Sequence, residues 1–206
     1  MTFPSPEVAR AVEVSKVFLE WMENSKIGDF DTAWDHCHDG NVMFKVLLTL
    51  NPKSKNLHWV AMRAALRTVQ AEDGDLDEQL LDHLARKKAS LVAGNEDYDP
   101  EAAISRAIGL NRIMREDNAT KSKGHANLAI AWACCNDARS CGMALNSATG
   151  AERFRFFRDQ ETTDDTVIYQ PQEPRTQAND VRELFPLPLT TSEIRYLTRY
   201  ERPWVI

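Results

Sequence analysis

The chain is 206 residues long, with 43% apolar and 27% charged residues and only 8 glycines and 9 prolines spread along it. That length supports one sizeable core, burying roughly 70% of the unfolded surface, and the composition excludes collagenous, low-complexity and disordered classes. The formal net charge of −6 argues against a general nucleic-acid binder, because phosphate recognition needs a concentrated positive face.

The charge comes in blocks: −5 over residues 1–40, +5 over 41–70, −7 over 71–101, +4 over 102–160 and −3 over 161–206. Such blocks make acidic and basic faces where each is contiguous in space, and ordinary solvated helix faces where it is not. Residues 1–10 lack a basic-then-apolar leader, and no run approaches about 18 uninterrupted apolar residues, so a cytoplasmic protein without a membrane span is expected. Cys37, Cys134, Cys135 and Cys141 form no C-x-x-C pair and read as free, mostly buried thiols.

In chain order, residues 5–24 read as a helix, with Ser5 as N-cap, Pro6 at the first position, and Val8, Ala11, Val12, Ser15, Leu19 and Met22 as one stripe beside Val14, Phe18 and Trp21. Gly28 breaks it. Asp29 or Asp31 caps a short helix through Thr32 to His36, and Asn41 to Leu50 forms an apolar helix ending near Pro52. Leu57, Val60, Ala61, Ala64, Ala65 and Val69 predict an amphipathic helix with Arg63 and Arg67 one turn apart on another face. Leu76 to Val92 predicts a helix stopped by Gly94-Asn95, and Asp99-Pro100-Glu101 opens the next, with Ala103, Ala107, Leu110 and Met114 as its stripe.

Gly124 introduces the most hydrophobic stretch, Ala126 to Cys135, whose small residues suit a central helix where several neighbours cross. Residues 137–158 continue as helix, with Gly142 and Gly150 as candidate breaks. From Thr162 to Leu189 no helical period is visible; Pro171, Pro174, Pro186 and Pro188 suggest an arm or a long packed loop, with Val167-Ile168-Tyr169 as a candidate strand. Thr190 and Glu193 fit a capping box for a short last helix carrying Ile194, Leu197 and Tyr200, and the apolar end at Pro203 to Ile206 needs a dock on the domain, a second copy or a partner.

The densest set of ligand-type residues is Trp34-Asp35-His36-Cys37-His38-Asp39, with Asp35 and His38 one turn apart. A metal site needs convergent ligands from elsewhere, and His58, His83 and His125 have no second His or Cys at ligand spacing; no metal and no cofactor is expected. His38-Asp39 resembles the doublet of the helical HD-type metal phosphohydrolases, but that family's earlier histidine has no counterpart on a separate helix, and Gly40 stands where it has an aliphatic residue. Cys37 lies between two histidines, which diverge from it on a helix, so a buried structural thiol is expected. No G-x-S-x-G, Walker pattern or dinucleotide fingerprint is present. Arg153, Arg155 and Arg158 alternate with Phe154, Phe156 and Phe157; two of these rings, Phe154 and Phe157, are expected on the core side with arginines at the rim. The acidic stretch from Glu72 to Asp82 suits either a basic partner or helix N-termini.

Ala33, Trp34, Asp35 and Cys37, followed by a hydrophobic helix with Met43 and Leu47 and a helix with Leu57, Ala61 and Arg63, resemble the helical immunity-type proteins of bacterial polymorphic-toxin systems over about residues 15–135. The resemblance implies an all-helical, non-catalytic module that neutralises a toxin by covering its surface. The resulting expectation is an all-α, bundle-like domain over residues 1–160, with a proline-containing arm and short helix over 161–206. Its leading function is protein binding, as an inhibitor or immunity-type protein of a toxin or phage-defence system that meets a basic partner. The expected contacts are Asp29, Asp31, Asp35, Asp39, Asp73, Asp75 and Asp77, with Trp34 as aromatic anchor. The alternatives are a helical metal-dependent hydrolase using Asp35, His38 and Asp39, and a protein that self-assembles through its C-terminal arm.

Overall fold

The computed structural model describes residues 18, 20–27, 30–50, 53–72, 76–95, 98–112, 117–160 and 168–185. Among them the regular structure is helical and no strand occurs. In chain order the helices are α1 (20–24), α2 (Phe30–His36), α3 (Gly40–Leu50), α4 (Lys55–Ala71), α5 (Glu78–Val92), α6 (Glu101–Arg112), α7 (Asn118–Ala133), α8 (Ala138–Gln160) and α9 (Glu173–Leu184). The protein is an all-α, multi-helix domain, as its periodicity predicts. None of the described helices is long and apolar enough to cross a membrane.

Local chemistry sets the boundaries. Helices α3 to α8 each begin on an Asp or Ser whose side-chain oxygen accepts a backbone N–H of the first turn: Asp39, Ser54, Asp77, Asp99, Asp117 and Asp137. At the other end of α5, Gly94 takes φ 70° and the N–H groups of Gly94 and Asn95 return to the carbonyls of Leu91 and Ser90. Lys26 closes α1 in the same way at φ 58°, so that helix stops ahead of Gly28.

Helices α7 and α8 form the broadest interface, running back on each other from the Cys134–Asp137 turn. Ala126, Ala129 and Ala133 of α7 and Ala144, Ala148 and Ala151 of α8 are all buried, and such small side chains let helix axes approach closely. Helix α7 is central, as expected, and also contacts α4, α5 and α6. It starts earlier than the hydrophobic stretch suggests, at Asn118 behind the Asp117 cap, and Gly124 is buried inside it. Neither Gly142 nor Gly150 breaks α8. A Cβ on Gly150 would lie 2.6 Å from His125 Nδ1, so this glycine admits the imidazole, which stacks on Phe154 with ring centroids 5.2 Å apart.

The largest departure from expectation is α9, where an arm without helical period was expected. Pro174 lies in its first turn, where a missing N–H costs no intrahelical bond. Its buried face is Gln177, Ala178, Asp180 and Val181, a stripe too polar and too small to register as apolar periodicity. Polar groups from distant helices complete it. Glu152 on α8 accepts the N–H groups of Gln172 and Glu173 at 2.9 and 3.0 Å, capping α9 from outside. Arg67 holds Glu173 and Asp180, and Arg63 holds Glu183 in a two-pronged contact at 2.7 and 2.8 Å. At the far end, Asn56 donates to Leu184 O and the Trp34 indole donates to Phe185 O at 3.0 and 3.2 Å. Ile168 and Tyr169 are not strand residues, while Val167, the Thr190–Glu193 capping box, the terminal apolar segment and residues 5–17 of the first helix lie outside the described residues.

The start of α3 meets α9 at Gly40, where an added Cβ would overlap Gln177 and stand 2.8 Å from the Ala178 backbone nitrogen. Gly40→Ala is therefore expected to destabilise the fold by about 1–3 kcal/mol in urea titration. Gly142→Ala, whose Cβ would find its nearest neighbour at 3.5 Å, is expected to be neutral or stabilising by up to about 1 kcal/mol; equal losses at both sites would contradict this packing.

His125 offers a second test. Its Nδ1 is buried without a hydrogen-bond partner among the described residues, and burial holds the imidazole pKa below its ordinary value. The unfolded chain therefore takes up a proton that the folded chain resists, and stability present above about pH 6.5 declines as the pH falls. Urea midpoints measured from pH 7.5 to 5 should fall less steeply in His125→Gln than in the parent; parallel slopes would exclude His125 as a contributor.

Candidate functional site

Of the acidic contact set, the structure describes Trp34, Asp35, Asp39 and Asp77. Trp34 is fully buried, with its ring 5.9 Å from that of Phe18 and its N–H held by Phe185 O, so it anchors the protein's own α9 and is not available as a partner's anchor. Asp35 is exposed. Asp39 and Asp77 use their carboxylates as N-caps of α3 and α5, and Asp77 also receives Arg106 at 2.6 Å, a hydrogen bond that lowers its pKa from the ordinary carboxylate value. Asp29, Asp73 and Asp75, and the side chain of Asp31, lie outside the described residues.

The His-Cys cluster at the end of α2 also diverges. His36 bonds the Thr32 carbonyl, His38 is exposed, and the buried Cys37 thiol, pushed up to about 11 mainly by burial, reaches the Asp39 carbonyl at 3.6 Å. Arg182 from α9 donates to the carbonyls of Trp34 and Cys37, satisfying this helix end. Among the described residues no group of three His, Cys, Asp or Glu could hold a metal ion.

Two other charged motifs turn inward. Glu72, the first residue of the acidic stretch, has a fully buried carboxylate that accepts the Ser122 hydroxyl at 2.5 Å and faces Arg155 and Arg158 at 3.4 Å each. These arginines therefore join α8 to the end of α4 and do not merely rim the core. The pairing of phenylalanines is also different: Phe154 stacks on His125, whereas Phe157 is 37% exposed, with Arg153 over its ring and Tyr169 beside it.

What the helices do bring together is a cavity of about 640 Å³ between the start of α4, the end of α5 and the α7–α8 turn. Lys53, Lys55, His58 and Trp59 enter it from α4 and the turn before it, Lys87 and Leu91 from α5, and Asn136 and Asp137 from the turn. Lys55, His58 and Trp59 share one face of α4 because three- and four-residue steps return to the same side. Lys87 is 2% exposed; its ammonium donates to Asn136 Oδ1 and lies 5.8 Å from the Tyr98 ring centroid, while Asn136 Nδ2 donates to Tyr98 O at 2.6 Å. Asp137, the one carboxylate among the described lining residues, caps α8 through Ser140 N and Oγ.

Beneath this wall, Cys141 Sγ lies 3.2 Å from His58 Nδ1. A thiol beside an imidazole at a pocket wall is an arrangement that the sequence pattern did not anticipate, and it has the outward form of a nucleophile and base. Its electrostatics oppose that role. The sulfur's residue is fully buried, and burial, followed by the charge of Asp137, pushes the thiol up to about 12, leaving it protonated and able to donate to the imidazole.

Sequence reasoning missed Lys53, Lys55, His58, Trp59, Lys87 and Asn136. One signal was visible: the basic block over 41–70 contains Lys53 and Lys55, although its two arginines, Arg63 and Arg67, are engaged with α9. Comparison with protein-family models, curated proteins and solved structures finds no match to this chain.

All four cysteines are free and buried. Iodoacetamide at pH 8 should leave them unmodified in the native protein over a period that labels the urea-unfolded chain completely, as read by intact mass. Fast, selective labelling of native Cys141 would instead identify an open, activated thiol.

Proposed function

We propose that this chain is a non-catalytic binding protein whose ligand site is the lysine-bearing pocket between α4, α5 and the α7–α8 turn, and that the ligand is anionic. The observation that carries this reading is the convergence of Lys53, Lys55 and Lys87 on one cavity whose described lining has a single carboxylate, already used as a helix cap. Pockets of roughly 300–1,000 Å³ with a few polar groups and an apolar wall are typical ligand sites, and this cavity falls within that range. The raised pKa of Cys141 supports occupancy over turnover at the neighbouring thiol–imidazole pair.

The resemblance to immunity-type proteins implies a non-catalytic inhibitor that covers a toxin's surface in a toxin or phage-defence setting, and it agrees with this reading in assigning binding in place of catalysis. The sign of the recognised charge is reversed from the acidic contact set, because Asp39 and Asp77 are engaged in capping while the lysines line a cavity.

Lys53 and Lys55 are both exposed, so their reversal leaves the core untouched. Titration with inorganic phosphate at low ionic strength, followed by backbone amide NMR, should shift residues around Lys55, Trp59 and Asn136. Lys53→Glu/Lys55→Glu should weaken binding at least tenfold, about 1.4 kcal/mol, and added salt should weaken the parent's binding. Shifts located elsewhere, or an unchanged affinity in the variant, would rule out this site.

A further inference from the structure

The pocket joins two kinds of recognition on neighbouring turns. Its lysine end lies at the start of α4, where Ser54 is the N-cap and Lys55 the first helical residue, so the helix's positive end and the lysines act at one mouth. Half-buried Trp59 follows Lys55 by four residues and lines the same cavity, with Leu91 of α5 adding apolar wall. Residues four apart on a helix have Cβ atoms about 5–6 Å apart, so a cation and a flat aromatic surface stand one turn from each other. A small inorganic anion would occupy only the lysine end and leave Trp59, Leu91 and most of the 640 Å³ unused.

We propose that the pocket takes a nucleoside monophosphate, with the phosphate at Lys53 and Lys55 and the base against Trp59. This rests on the pocket being the anion site argued above and adds a ring subsite to it. An aromatic face stacks on any base, while lysines act as point charges for phosphate; the combination selects a ligand carrying both a ring and a phosphate. Lys87 of α5, fixed by Asn136, places a third positive charge in the wall of the same cavity.

The test is calorimetric titration of the full chain with adenosine 5′-monophosphate, adenosine and inorganic phosphate. The monophosphate should bind at least tenfold tighter than either fragment. Trp59→Ala should lose at least tenfold for the monophosphate with phosphate affinity unchanged, and Trp59→Phe, which keeps a ring, should recover most of the loss. Lys53→Glu/Lys55→Glu should abolish binding of both phosphate-bearing probes. Circular dichroism melts of each variant confirm that the fold is retained. If the monophosphate binds no tighter than phosphate, the ring subsite is wrong while the anion site stands. If adenosine binds as well as the monophosphate, the phosphate placement is wrong. If neither phosphate-bearing probe binds, both this inference and the anion-site reading fail.

Discussion

The architecture depends on two arginines of α4 that meet three carboxylates of α9. Arg67 reaches Glu173 at 2.7 Å and Asp180 at 2.6 Å, and Arg63 reaches Glu183 at 2.7 Å and Asp180 at 3.2 Å. Burial pushes the Glu173 carboxyl up while Arg67 opposes that shift, and burial pulls Arg67 down while its carboxylates more than restore it. Removing one partner from such a group leaves an uncompensated charge, which is more damaging than the intact network is stabilising. Its main contribution is therefore to specify where α9 lies. Once α9 is placed, Trp34 is covered, Gly40 has to remain without a side chain, and the end of α2 gains Arg182 as its cap.

Much of the fold was legible because it is local. The α4 stripe from Leu57 to Val69, the Asp99-Pro100 start and the Gly94-Asn95 stop each depend on spacing or on one residue's backbone preference. Helix α9 was not legible, since its inward face is Gln177, Ala178, Asp180 and Val181, and the burial of that polar face depends on Arg67, more than a hundred residues away. Trp34, set among acidic residues, resembles an exposed anchor until α9 is in place. The candidate pocket was hidden for the same reason: its walls come from three separate stretches, and none contains a motif by itself.

Charge in this protein is mostly internal structure. Glu72 with Arg155 and Arg158 joins α4 to α8, Glu152 caps α9 from another helix, and six successive helices begin on an Asp or Ser. These uses explain why acidic blocks read along the chain are poor guides to a docking face. The lysine-lined cavity differs because its cations border space as well as neighbouring protein.

The indole of Trp34 and the carbonyl of Phe185 are separated by 151 positions in the chain. During synthesis, the first helices emerge with that indole N–H, the α2 carbonyls and the glycine notch at residue 40 all lacking their native counterparts. The last described helix supplies those counterparts together, so the helices before it stay incomplete until α9 has been made.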